Sequence, residues 1–311
     1  MTPRALVLVN PAATRAGRAE TADVVAALSA VATVAVTVTA SPGHATELAR
    51  AARRDALPLL VVVGGDGTVN EAVNGLLADG ARDDPLVRTA LGIVPAGGMN
   101  VTARSLGAGR TVPDAVRRLT EAVRGKRRRI LNVGRAGERY FLFASGVGFG
   151  ADLMTRVSHA RRHGRKTTPL RCVLEGARAF PGGTQRGRTD LTVTAGRRKE
   201  RAFALLVANA SPYAYVGAWP LNPCPAADWS TDLEALAFTD ASVPRCSLLA
   251  ARMLVAPWHE HHGRPVTRFR ELRTLSVTSH NPVALHVDGE PLPARDTVRF
   301  TSVRRALAVA L

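Results

Sequence analysis

Cysteine is scarce in this sequence: Cys172, Cys224 and Cys246 are the three in 311 residues. They stand far apart without CxxC pairing, which excludes a disulfide framework and argues against a cysteine-held metal or redox centre. A reducing cytosol suits them best. Long apolar runs are also missing. The longest weakly apolar stretch, 27–40, is threaded with Ser and Thr and is shorter than the roughly 20 residues a membrane span requires. The N-terminus has one arginine before the run Leu6–Val9, which Asn10 and Pro11 stop, so no signal peptide is expected. Aromatic residues are 5% of the chain, too few among the basic runs for base stacking, and no nucleic acid partner is expected. Acidic residues are outnumbered, 25 against 42 Lys plus Arg, and the net charge of +17 calls for anionic partners such as phosphorylated small molecules or an acidic membrane surface.

What is present is a chain able to bury a large core. Hydrophobic residues reach 46% against 22% charged, which excludes disorder, and the length favours two domains. Residues 1–129 alternate apolar runs with helical periodicity, the pattern of a parallel sheet flanked by helices. Strands are expected near 4–9, 33–39, 58–63 and 89–94, and helices near 18–31, 44–56, 69–79, 99–107 and 113–124. After the basic run Lys126–Arg129 the segments shorten to 130–134, 139–144, 189–194, 201–208 and 233–239. They read as an antiparallel, β-sandwich-like second domain over 130–295, interrupted by a long helix from about 151 to 180. The tail is expected to hold short strands at 266–269, 273–278, 283–288, 297–302 and 306–310, broken at Asn281-Pro282 and Asp288-Gly289. Its last part, 296–311, is expected to return to the first domain.

The most informative segment runs from Gly64 to Gly75 directly after the all-apolar Leu59–Val63. A strand ending in glycines admits a phosphate to the backbone, and the helix that follows offers unpaired N–H groups and a positive dipole end. Thr68 and Glu71 fit a capping box, which predicts a helix starting at the glycines. Asp66 inside this anion-binding turn would repel a phosphate unless a Mg²⁺ or a proton to be removed stood between them. That is a phosphoryl-transfer arrangement. Neither GxGxxG nor GxxxxGK[ST] spacing is present.

The run GGDGTVNEAVNGL resembles the signature of the diacylglycerol kinase catalytic family, which includes bacterial lipid kinases and sphingosine kinases and is related to NAD kinases and phosphofructokinases. Further blocks agree in order: Asn10-Pro11, Thr39, the loop Val94–Asn100, the segment Phe143–Asp152, and Asp288-Gly289-Glu290. The resemblance implies ATP in a cleft between the domains, contacted by Asn10, Pro11, Thr39, Gly64, Gly65, Gly67, Thr68, Asn70, Glu71, Gly97, Gly98 and Asn100. It implies Glu290 as the base for the acceptor hydroxyl with Asp288 beside it, Asp66 as aid to Mg²⁺ and acceptor placement, and Asp152 as a contact of the lipid's polar head. A general base of this kind acts on a hydroxyl whose nucleophilicity is needed only in the transition state.

Several positions depart from the family pattern. Gly98 replaces the usual Thr, Val101 and Asn132 stand where acids are common, and Ser230–Leu233 replaces Asp-Gly-x-Leu, so a structural Mg²⁺ there is not expected. The implied function is an ATP-dependent lipid kinase, cytoplasmic and peripheral on the inner face of the membrane. A kinase of a soluble hydroxyl compound, or an impaired nucleotide- or lipid-binding homologue, stays open, as does a homodimer. The basic clusters Lys126–Arg129, Arg161–Lys166 and Arg197–Arg201 would hold such an enzyme at an anionic bilayer, each residue contributing roughly 1 kcal/mol. His259, His261 and His262 read as a surface loop.

Overall fold

The computed structural model describes residues 2–13, 17–78, 88–148, 191–240 and 266–311, with 151, 242, 245, 248, 249 and 252. Contacts divide the chain into two compact units: residues 1–133 with 304–311, and residues 134–303.

In the first unit β1 (Arg4–Val9), α1 (Arg18–Ser29), β2 (Thr33–Val38), α2 (His44–Arg54), β3 (Leu59–Gly64), α3 (Asp66–Leu76), β4 (Ala90–Pro95), α4 (Val101–Ser105) and α5 (Val112–Arg124) follow in turn. The sheet order is β2-β1-β3-β4, all parallel, with the end of the last strand added beside β4 through Val309 and Leu91. β3 is buried along its whole length, as a central parallel strand covered on both faces must be. Val7, Val61 and Val94 face a core shared with Leu28 of α1 and Leu119 of α5. Leu60, Val62 and Ile93 alternate to the other face and are buried as well.

Local signals explain the helices. Thr111 caps α5 by accepting the Asp114 amide at 3.3 Å, with proline in the first turn. α5 lies close on the sheet because Gly92 has no side chain: a Cβ there would stand 2.9 Å from Leu119 Cδ1. α3 begins at Asp66, three residues before the expected 69, and its N-cap is Gly65 without a side-chain cap. The capping box is therefore not formed, because Thr68 lies inside the first turn and its hydroxyl is taken by Asn10.

The second unit is antiparallel. It contains the end of β5 (Arg128–Ala136), then β6 (Arg139–Phe141), β7 (Ala144–Gly148), β8 (Leu191–Ala195), β9 (Arg198–Ala202), β10 (Ala204–Ala208), β11 (Ala214–Val216), β12 (Trp219–Leu221), β13 (Leu233–Phe238), β14 (Val266–Leu272), β15 (Thr274–Val287) and most of β16 (Glu290–Ala310). The main order is β14-β13-β10-β7-β15-β16, and the β8–β9 hairpin pairs with β15. Phe141 and Phe300 meet edge to face in its core, ring centroids 6.4 Å apart.

Three expectations change here. The run 139–144 divides into β6 and β7, because the amides between them bond a carboxylate rather than a neighbouring strand. The run 201–208 divides into β9 and β10 at Phe203, whose amide bonds the Phe238 carbonyl at 2.9 Å. The five short tail strands are three, and β15 continues through Asn281-Pro282 with a register irregularity between Thr278 and Val283. Proline cannot donate to the ladder, and a bulge accommodates it. The helix expected over 151–180 lies outside the described residues apart from Ala151, as do Asp152, the cluster Arg161–Lys166 and the three histidines at 259, 261 and 262.

Candidate nucleotide and acceptor residues

The strand order of the first unit reverses between β1 and β3, which open outward toward β2 and β4 respectively. Ligands of open α/β sheets bind outside the carboxyl ends of the strands at such a switch point. Register places Val9 beside Val63 and Gly64 beside Pro95, so the segments after β1, β3 and β4 emerge together. The Asn10 amide donates to the Val63 carbonyl at 3.0 Å, the Thr39 amide to Val9 at 2.9 Å, and the Ala96 amide to Gly64 at 2.9 Å. Asn10, Pro11, Thr39, Gly64, Gly65, Gly67, Thr68, Gly97, Gly98 and Asn100 thereby share one edge of the sheet.

Side chains lock this edge. Asn10 Nδ2 donates to Thr68 Oγ1 at 2.7 Å, and Asn10 Oδ1 accepts the Ala12 amide at 3.0 Å. The two glycine loops touch backbone to backbone: a Cβ on Gly65 would lie 3.2 Å from Gly97 Cα, and one on Gly97 would lie 2.6 Å from Gly65 Cα. Gly65 has φ −95°, so contact rather than a left-handed conformation demands glycine there. Gly98 is exposed with open space around it. Asn100 is the residue with positive φ, 49°; its Oδ1 accepts the Gly97 amide at 3.0 Å and its Nδ2 donates to the Gly97 carbonyl at 2.7 Å. Asparagine tolerates that conformation and braces the loop at the same time.

Asp66 joins the two loops. Its Oδ2 accepts the Val101 amide and its Oδ1 the Thr102 amide, each at 2.9 Å. Burial raises its carboxyl pKa above the ordinary value, while the amides of Thr102 and Val101 pull the other way. Asn70 and Glu71 serve the helix packing one turn along. Asn70 is fully buried and accepts from Asn74 Nδ2 at 3.1 Å, and the Glu71 carbonyl accepts from Thr46 Oγ1 at 3.0 Å.

In the second unit Asp288 and Gly289 form a two-residue hairpin, both with positive φ (47° and 80°), closed by the Val287 to Glu290 pair. The Asp288 carboxylate is buried, and it accepts the amides of Leu142 at 2.7 Å, Phe143 at 2.9 Å and Ala144 at 3.2 Å. It is a positioning residue for the β6–β7 turn. Glu290 follows it, half-buried, at the start of β16.

Two of the departures from the family pattern have structural tasks. Asn132 Oδ1 accepts the Arg305 amide at 2.9 Å, and Ser230 bonds Asp228 in an Asx turn, its amide to Oδ1 at 3.0 Å. Among the described residues no three His, Cys, Asp or Glu side chains converge to hold an ion. Asp66 is the acid at this edge, and each of its oxygens keeps a lone pair beyond the amide it accepts.

Residues 4–133 match the family model of the diacylglycerol kinase catalytic domain. That stretch of the chain is similar to the family's catalytic domain, and together with the relatives that follow it supports a phosphotransferase of the kinase type. The diacylglycerol kinase of Staphylococcus haemolyticus is 26% identical over 275 residues, 86% of this chain and 75% of that protein. A Chromohalobacter salexigens protein named "Probable lipid kinase YegS-like" is 38% identical over 120 residues, 39% and 36% of the two chains. The crystal structure of a diacylglycerol kinase from Bacillus anthracis superimposes with a TM-score of 0.70 at 17% identity, covering 99% of this chain and 96% of that one. An NAD kinase from Archaeoglobus fulgidus in complex with ATP gives 0.51 at 11% identity, covering 99% and 93%. These two likenesses establish the fold, which is the parallel α/β part followed by antiparallel strands that the sequence pattern implies. No helix among the described residues is long and apolar enough to cross a membrane.

Sequence reasoning did not find the clamp function of Asp288, nor His286. That imidazole is 1% exposed, packs on Gly146 and meets Tyr213 edge-on, and neither of its nitrogens has a hydrogen-bond partner. A lone histidine in an alternating strand gives no local sign of that.

Proposed function

We propose that this chain is an ATP-dependent lipid kinase that transfers the γ-phosphoryl group to a hydroxyl of a lipid such as diacylglycerol or a sphingoid base. The observation that carries this reading is the mutual lock of the loops at Gly64–Gly67 and Gly97–Asn100 at the switch point, fixed by Asp66 and Asn100. A backbone-lined edge next to the first turn of α3 suits phosphate groups, because it offers N–H donors without a side chain in the way. Thr39 and Asn10 flank it on the nucleoside side.

In this reading Asp66 is a positioning residue that holds the second loop in register with the first. Glu290 takes the acceptor hydroxyl's proton, and Asp288 fixes the hairpin from which Glu290 projects. Magnesium would come with the substrate as MgATP and would offset charge on the transferred phosphoryl group. Asp152 is assigned to the lipid's polar head. The lipid is taken from an anionic membrane surface on the cytoplasmic side, toward which the excess of arginine draws the enzyme.

The test is phosphorylation of a bacterial lipid extract with γ-labelled ATP, followed by separation of the products. Label in a lipid that disappears with Glu290→Gln supports the reading. Label transferred only to soluble alcohols, or none at all from folded protein, overturns it.

A further inference from the structure

The second unit holds a surface cavity of about 420 Å³ lined by Ala195, Arg198, Arg268, Phe269, Arg270 and Leu272. Three of its six lining residues are arginines and none is acidic. The β14 strand supplies Arg268, Phe269, Arg270 and Leu272, and the β8–β9 hairpin supplies Ala195 and Arg198. The Arg198 guanidinium lies over the Phe269 ring, 4.7 Å from its centroid, and its Nη1 donates to the Arg268 carbonyl at 3.3 Å. The aromatic face and the neighbouring strand hold this flexible side chain over the cavity wall.

Arg268 is the unusual member. Its side chain is 7% exposed, its Nη1 pairs with Glu234 and its Nη2 donates to the Pro223 carbonyl at 3.0 Å, but its Nε has no partner. A buried guanidinium N–H without an acceptor costs desolvation free energy, and Oε2 of its partner Glu234 is likewise without a hydrogen bond. Glu234 is the carboxylate nearest this group, and it is shared: its Oε1 also lies 4.0 Å from Arg270 Nε. Glu200 is engaged by Arg198 on the hairpin, at 3.3 Å. Each of the three arginines thus has an acidic neighbour, and neither Glu200 nor Glu234 lines the cavity. Arginine forks bind phosphate oxygens through paired hydrogen bonds. Phe269, Leu272 and Ala195 add an apolar wall.

We propose that this cavity binds a phosphate ester carried on an apolar stem, a chemistry shared by phospholipid head groups and soluble organophosphates. The site uses none of the residues assigned to nucleotide or proton transfer, and the inference rests on no part of the kinase reading.

The experiment compares wild type with Arg198→Gln/Arg270→Gln, which removes the two half-exposed guanidinia and leaves the buried Arg268–Glu234 pair intact. Arg117→Gln/Arg118→Gln on α5 removes the same charge from the other unit as a control. Two probes are used: hexyl phosphate by calorimetry, and phosphatidylglycerol vesicles in phosphatidylcholine by sedimentation. Thermal melts verify that each variant is folded, and Arg270→Gln alone replaces the double variant if it is not. The expected result is at least a tenfold loss of affinity for one probe in the cavity variant and less than threefold in the control. Loss toward hexyl phosphate identifies a soluble organophosphate site, and loss toward vesicles alone identifies a head-group site. The proposal is overturned if wild type binds neither probe, or if the α5 control weakens binding as much as the cavity variant does.

Discussion

Asp66 and Thr102 are joined across 36 positions of sequence: the Asp66 Oδ1 accepts the Thr102 amide at 2.9 Å while Oδ2 takes the amide of Val101. The acid in the glycine turn therefore holds the second glycine loop, and its substitution should act on both stability and turnover. Asn can accept only one of the two amides and turns an NH₂ toward the other. Asp66→Asn is expected to lower turnover at least a hundredfold and to reduce stability by about 1–3 kcal/mol, the cost of one buried amide left unpaired. Urea unfolding and lipid phosphorylation check this together. Unaltered turnover in the folded variant would remove Asp66 from the functional machinery.

The contact of Gly65 with Gly97 separates two kinds of glycine. Gly65→Val should push the loops apart and weaken ATP binding at least tenfold, since its Cβ already falls 3.2 Å from Gly97 Cα. Gly98→Ala has open space around it and should leave the melting temperature within a degree or two. Titration of nucleotide binding in both variants is the measurement, and equal affinities would show that the packing of these loops does not shape the phosphate site.

How much of this was legible depended on how local the cause was. Leu59–Val63 and Gly64–Gly67 announced a strand, a turn and a helix in consecutive residues, and the strands β1 to β4 came out within a residue or so of their expected bounds. Thr68 and Glu71 had capping-box spacing, yet Asn10, 58 positions away, takes the Thr68 hydroxyl, and no local rule registers that competitor. Asp288-Gly289 could be read as a hairpin or as chemistry. It is a hairpin in geometry, and the buried acceptance of three distant amides is the feature spacing does not encode. The division of 139–144 has the same origin, since Asp288 lies almost 150 positions downstream of the amides it binds.

His286 carries a pH dependence with a definite sign. Burial lowers its pKa from 6.5 to about 4, so between those values the unfolded chain binds a proton that the folded chain does not. Stability contributed by the neutral ring is full above pH 6.5 and is lost as pH falls toward 4. At 1.36 kcal/mol per unit, going from pH 7 to pH 4.5 should cost roughly 2–3 kcal/mol. His286→Leu should flatten that part of the curve, measured by urea unfolding at both pH values. An acid dependence identical in the two proteins would place the titrating group elsewhere.

Asp288 and Glu290 stand two residues apart on one hairpin, and their substitution should separate stability from turnover. Asp288→Ala strands the amides of Leu142, Phe143 and Ala144, and at about 1–3 kcal/mol for each buried unpaired group the loss should reach several kcal/mol. The melting temperature of the protein falls, and turnover falls with it because the hairpin loses its anchor. Glu290→Gln preserves shape and hydrogen-bonding capacity on a half-buried side chain but cannot accept a proton. Its melt should match wild type while turnover drops by at least about a hundredfold, the lower end of the range for a general base. The discriminating measurement is turnover set against the melt of each variant. Asp288→Ala should lose both together, whereas Glu290→Gln should lose turnover with its melt unchanged. A folded Glu290→Gln enzyme that turns over like wild type would transfer the role of base to another group and leave Glu290 as part of the hairpin's framework.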